Sequence, residues 1–220
     1  MFVGHFGLAF AGKKLAPKTS LGALVFATEF VDLIWPICLL LGIEHVVIAP
    51  GITRMTPLDF TDYPITHSLL MGLVWAIVVG GIYFLLRRNF RGAFVIAVGV
   101  ISHWILDWLT HRPDLLLYPG GMSKYGLGLW NHPVAEMILE GGIFAVGAIF
   151  YLTATRARDK VGLYGTWSLI VFLLFVWLSA VFAGAPPNPK ALAWGGLSLW
   201  ITVLWAWWVD KHRDLVAAKP

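Results

Sequence analysis

Charge is scarce in this chain: Lys, Arg, Asp and Glu make up 13% of its 220 residues, against 59% hydrophobic residues. A water-soluble domain carries about 25% charged residues, so an ordinary globular surface is excluded. Cysteine is nearly absent. Cys38 is the sole one and sits in an apolar run, so no intramolecular disulfide can close. The sequence also lacks a Gly-rich phosphate loop, a Ser-centred nucleophile elbow, a heptad pattern and a tandem repeat. Its net charge of +4 comes from short basic clusters beside apolar runs, with no basic stripe along one face. That distribution speaks against nucleic acid as a partner. The opening MFVGHFGLAF has neither a basic n-region nor a small-residue cleavage site, which argues against a removed signal peptide.

What is present is apolar, with a mean hydropathy of +0.77. A bilayer core of about 30 Å needs ~20 apolar residues per crossing helix. Runs at 19–43, 66–86, 92–111, 133–154, 164–184 and 191–209 predict six such helices, preceded by a shorter apolar piece, Phe2 to Gly12. The expected fold is an all-α, polytopic helical bundle in the membrane, a single integral domain over 1–220, with the lipid bilayer as its partner. Four basic groups alternate with less basic loops: Lys13, Lys14 and Lys18; Arg87, Arg88 and Arg91; Arg156, Arg158 and Lys160; Lys211 and Arg213. Six crossings put all four, and both ends of the main bundle, on the cytoplasmic side of a plasma membrane. The opposite side holds loops 44–65 and 112–132 and the turn Ala185-Pro186-Pro187-Asn188-Pro189. Trp194, Trp200, Trp205, Trp207 and Trp208 read as interfacial anchors in a scaffold region, 160–210, that has almost no intramembrane ionisable groups. Function is expected in 1–140.

An ionisable side chain at the centre of a membrane helix costs roughly 3 kcal/mol on insertion scales, and such residues mark ion sites or proton paths. The first run carries Glu29 and Asp32, three residues apart and so on one helix face. The second opens on Thr66-His67-Ser68. In the third, His103, Asp107 and His111 fall at i, i+4 and i+8. The fourth begins at His132-Pro133 and carries Glu136 and Glu140. A divalent ion needs nitrogen and oxygen donors from several directions, and His-x-x-x-carboxylate pairs deliver two from each helix without strain. At 1.5 Å per residue, His103, Asp107 and Asp32 lie ~18 to 24 Å from their basic anchors, in one layer. If Phe2 to Gly12 turns back into the bilayer as a half-helix, His5 reaches ~12 Å inward. His45 reads as a solvated loop residue and His212 as part of the basic tail.

The order Gly4-His5, Glu29 with Asp32, Thr66-His67-Ser68 and Ser102-His103 to Asp107 resembles the bacterial YdjM-like family of inner-membrane metal-dependent hydrolases, over roughly residues 1–140. That family is in turn similar in ligand pattern to zinc phospholipase C and the single-strand-specific zinc nucleases. The resemblance implies metal ligation by His5, Asp32, His67, His103, Asp107, His132 and Glu136, with His111 as a further ligand, and a bridging or proton-accepting role for Asp32 beside Glu29. The stretch Asp62-Tyr63-Pro64-Ile65 departs from the Arg-Gly expected before Thr-His-Ser, and Glu29-Phe30-Val31-Asp32 replaces Pro-Asp-x-Asp.

The resulting expectation is a bacterial inner-membrane hydrolase with divalent metal, zinc foremost, acting on a phosphoester or other ester of an amphiphilic small molecule. The rival from another class is a metal-ion or proton transporter built on the same His and carboxylate cluster. A structural subunit with a stabilising metal is a third reading. A conduction path needs polar residues through to the basic end. Val74 to Leu86 and Phe94 to Ile101 are apolar, which favours the enzyme.

Overall fold

The computed structural model describes residues 1–182 and 184–216. Its helices are α1 (Val3–Leu15), α2 (Leu21–Thr28), α3 (Phe30–Leu40), α4 (Pro64–His67), α5 (Leu69–Arg87), α6 (Phe90–Thr110), α7 (Pro133–Ala154), α8 (Thr166–Phe182), α9 (Pro189–Gly196) and α10 (Leu199–Asp210). Five helical segments are long and apolar enough to cross a membrane: α5, α6, α7, α8 with its preceding π-turn from Val161, and α9 with α10. The bent pair α2–α3 makes a sixth. The expected all-α polytopic bundle is therefore the observed one. Polar residues start these helices where the chain leaves a loop: the side chains of Ser20, Ser68, Asn89 and Asn188 accept from Ala23, Met71, Gly92 and Ala191 backbone N–H groups.

Run 19–43 is not one straight helix. It bends by 55° at Glu29, between α2 and α3. Backbone irregularity at membrane depth persists only where protein partners satisfy the freed groups. Here the Thr28 carbonyl accepts from His103 Nδ1 at 2.7 Å. Run 66–86 likewise starts with a separate turn, α4, because Ser68 is extended (ψ 148°) and caps α5.

The short N-terminal helix is also present. At 13 residues α1 spans ~20 Å, too short to cross, and Val3, His5, Phe6, Ala9 and Phe10 are all fully or almost fully buried. It lies against α7 with backbones nearly touching. A Cβ on Gly7 would stand 2.6 Å from the Ile143 carbonyl oxygen, and one on Gly147 would collide with the Gly7 carbonyl. Small residues permit this approach in membranes, where packing and polar contacts, with no help from water, hold helices together. Phe10, Phe144, Tyr151, Leu169 and Leu173 fill the core around α1.

At the end of the bundle where the basic clusters gather, Lys13 Nζ pairs with Asp210 Oδ2 at 2.7 Å. At the other end, strands β1 (His45–Ile48) and β2 (Leu58–Asp62) form an antiparallel hairpin. Val46 and Phe60 from it pack with Trp35, Tyr63 and Leu115 into a second apolar cluster above the bundle. The hairpin loop thus roofs the polar layer beneath it.

Candidate metal centre

Four elements bring the polar layer together. α1 supplies His5, α3 Asp32, α4 His67 and α6 both His103 and Asp107, while His111 follows at the C-terminal cap of α6. Asp107 is the hub. Its Oδ1 lies 3.2 Å from His5 Nε2, and its Oδ2 lies 3.2, 3.7 and 3.8 Å from the Nε2 atoms of His103, His67 and His111. Asp32 Oδ1 stands 3.3 Å from His67 Nε2 and 3.6 Å from His103 Nε2. Two overlapping donor sets result, His5–His103–Asp107 and Asp32–His67–His103, each with its ligand atoms within 4.8 Å of one another. The rings of His5 and His103 stack at 3.7 Å.

The outer nitrogen of each of three rings is held by an oxygen. His103 Nδ1 donates to the Thr28 carbonyl at 2.7 Å. His67 Nδ1 donates to Thr66 Oγ1 at 2.7 Å, and the Thr66 hydroxyl donates onward to Glu44 Oε2 at 2.7 Å. Glu44 Oε1 also accepts from the Ile65 and Thr66 N–H groups, at 2.8 and 2.9 Å. His111 Nδ1 donates to Asp114 Oδ1 at 3.0 Å, and Tyr63 donates to the same oxygen at 2.7 Å. Burial and the Asp114 carboxylate push the Tyr63 phenol well above its ordinary range, so it stays a donor. Each ring is thereby set in the tautomer that bares Nε2 toward the carboxylates.

That arrangement fits a divalent cation. A neutral imidazole lone pair facing a carboxylate oxygen is repulsive unless a proton or a metal cation lies between. His103 Nε2 shows the consequence: it is buried 3.2 Å from Asp107 yet makes no hydrogen bond among the described residues. Buried polar atoms without partners are rare and ask for an ion or water. A set of imidazoles and carboxylates, with the rings of His67, His103 and His111 held from behind by an oxygen, is the chemistry of a zinc site.

Of the residues the sequence singled out, His5, Asp32, His67, His103, Asp107 and His111 converge. Glu29 lies just behind them, fully buried at the α2–α3 break with both carboxylate oxygens unpartnered among the described residues. His132 does not join; it is exposed at the start of α7. Glu136 faces a neighbouring cavity beside Glu140, outside both donor sets. The sequence reading passed over Glu44, Thr66 as a relay, Tyr63 and Asp114. Asp114 carried a signal, an acid three residues after a helix-terminal His.

Asp32, His67, Asp107 and His111 line a cavity of about 190 Å³ walled by Trp35, Leu58, Phe60 and Trp130. Asp32 is the acid of the centre open to it, with 23% of its side chain exposed.

Compared with known proteins, the chain matches the family model described as YdjM inner membrane protein over residues 62–184. No curated protein and no solved structure matches it.

Proposed function

The chain belongs to the YdjM inner membrane protein family, and we propose that it is a membrane-embedded metallohydrolase acting on a phosphoester or other ester of an amphiphile, with zinc as its metal. The observation that carries this reading is the convergence of three Nε2 atoms, from His67, His103 and His111, on one oxygen of Asp107 at 3.2 to 3.8 Å. His103 and Asp107 would hold the metal, with His67 and Asp32 on one side and His5 on the other. A divalent ion held there supplies Lewis acidity and brings the pKa of water toward neutrality.

The chain's own groups account for the remainder. Asp32 faces the cavity and is placed to accept the proton of an attacking water. Glu29, buried behind it with both oxygens unpartnered among the described residues, is a second carboxyl group within the centre's acidic first span. Glu44 and Asp114 hold the rings of His67 and His111 so that they need not reorganise during the reaction. Trp35, Phe60 and Trp130 exclude bulk water and strengthen each electrostatic contact inside.

Residues between the cluster and the basic end support an enzyme over a conduit. Phe6, Phe10, Ile96, Val100 and Phe144 are buried and belong to one apolar cluster there. The positive-inside rule puts the basic end in the cytoplasm and the metal centre toward the outer face.

The test is the metal content of protein purified without chelators, compared with His103→Ala and Asp107→Ala. Wild type is expected to retain transition metal that both variants lose, and a metal-free wild type would sink the proposal. Hydrolysis of lipid-like phosphoesters, measured beside metal-ion flux in liposomes, then separates hydrolase from transporter.

A further inference from the structure

Beside the metal centre lies a second cavity of about 360 Å³, within the ~300–1,000 Å³ range of small-molecule sites. It shares Met1, Thr56, Leu58, Trp130 and Leu192 with the cavity over the metal centre, so the two spaces adjoin. Phe2, Trp177, Ala180 and Val181 give it largely apolar walls from α1's start and the end of α8. Two carboxylates also face it, Glu136 and Glu140, and their surroundings differ.

Glu140 is fully engaged. Its Oε1 accepts from the N–H groups of Phe2 and Gly4, and its Oε2 accepts from Trp177 Nε1 at 2.9 Å. It therefore caps the free end of α1 and fixes that helix against α7 and α8. Glu136 is only 1% exposed, yet its Oε2 has no hydrogen-bond partner among the described residues. Among the described residues, no Lys or Arg lines either cavity. Met1 lines both, and its amine is engaged by Asp107 at 2.8 Å. A buried carboxylate without a donor is costly, and at an apolar wall what relieves it is a proton or a cation or strong donor from outside. Glu136 sits in the first turn of α7, one turn before Glu140 on the same helix face.

We propose that Glu136 is a specificity-determining residue that binds the ammonium group of an amphiphile whose apolar chain occupies this cavity between Phe2, Trp177 and Val181. The same acid-lined space rejects a headgroup carrying additional anionic charge. The inference draws on the hydrolase reading only for what the amphiphile presents to the metal, so its test reads binding and metal content without turnover.

The full chain in dodecylmaltoside is titrated with dodecylamine or dodecyl phosphate, and retained ligand is counted by native mass spectrometry. Dodecylamine is expected to bind at about tenfold lower concentration than dodecyl phosphate. In Glu136→Gln that preference falls to about twofold or less while metal content equals wild type. Val181→Trp, which fills the chain's space and leaves the carboxylate in place, weakens retention of dodecylamine. Three results overturn the proposal: equal binding of the two probes by wild type, an amine preference that survives in Glu136→Gln, or loss of metal from that variant, which would make Glu136 a ligand.

Discussion

His103 donates its Nδ1 hydrogen to the Thr28 carbonyl at 2.7 Å, so the ring at the middle of the metal centre is tied to the point where the α2–α3 span breaks. One bond has two effects. It satisfies a carbonyl at the break, and it leaves Nε2 as the bare nitrogen facing Asp107 and Asp32. His103→Ala therefore removes a ligand and strands the Thr28 carbonyl. With excess chelator both proteins are metal-free, and their difference in unfolding free energy reads the bond to Thr28 together with the ring's packing on His5. We expect the variant to be less stable by about 1–3 kcal/mol under those conditions. Equal stability in chelator would show that the bend does not depend on His103.

The Glu44–Thr66–His67 relay predicts an effect without removing any residue of the two donor sets. Glu44→Gln keeps shape but replaces the charged acceptor that orients the Thr66 hydroxyl. Groups supporting a metal-bound histidine typically contribute 10- to 100-fold in affinity. Competition with a chromogenic zinc chelator should show a loss of about that size, with the far-ultraviolet circular dichroism of the variant unchanged. An affinity equal to wild type would place His67 outside the metal's shell.

Much of this was legible in the chain itself, and particular residues show where legibility ended. Apolar runs of membrane length announced the spans, and the half-helix followed from His5 lying in an apolar piece too short to cross. His103 and Asp107 could be paired from spacing because both sit on one helix, where i and i+4 share a face. The partners that set the tautomers were not readable. Thr28 acts through its carbonyl, which every residue has, and Glu44 sits in a loop with no periodicity to orient it. The bend at Glu29 was equally hidden, since no proline or glycine marks it and the side chain that bonds the carbonyl there lies 75 residues away in sequence. Spacing also suggested too much at His132. It pairs with Glu136 at i+4, but the first lies before Pro133 at the cap of α7, where the chain turns it outward.

His132 accordingly makes a sharp contrast with His103. As an exposed residue outside both donor sets, it should be replaceable by Ala with metal affinity within about twofold of wild type, the size of an ordinary surface substitution. The same chelator competition measures it. A large loss would mean that the hairpin and the 112–132 loop rearrange to bring His132 inward when metal binds.

At the opposite end of the bundle the same physics yields a prediction about stability. Asp210 accepts from Lys13 Nζ at 2.7 Å, from Tyr151 at 3.0 Å and from the Leu21 N–H at 3.0 Å, joining α1, α2, α7 and α10 at one carboxylate. Both charged side chains are less than a tenth exposed. Breaking one partner of such a pair leaves a buried charge uncompensated and costs roughly 3–5 kcal/mol, whereas replacing both by apolar residues is often near neutral. Asp210→Ala should therefore unfold at markedly lower denaturant, and Lys13→Met with Asp210→Leu should recover most of the loss. Recovery would be incomplete, because Tyr151 and the Leu21 N–H still lose their acceptor. If the double variant were as unstable as the single one, the value of Asp210 would lie in those neutral hydrogen bonds and in fixing α1, and the charge of Lys13 would be incidental. Metal content of the two variants then shows whether seating α1 at this end is needed to hold His5 at the other.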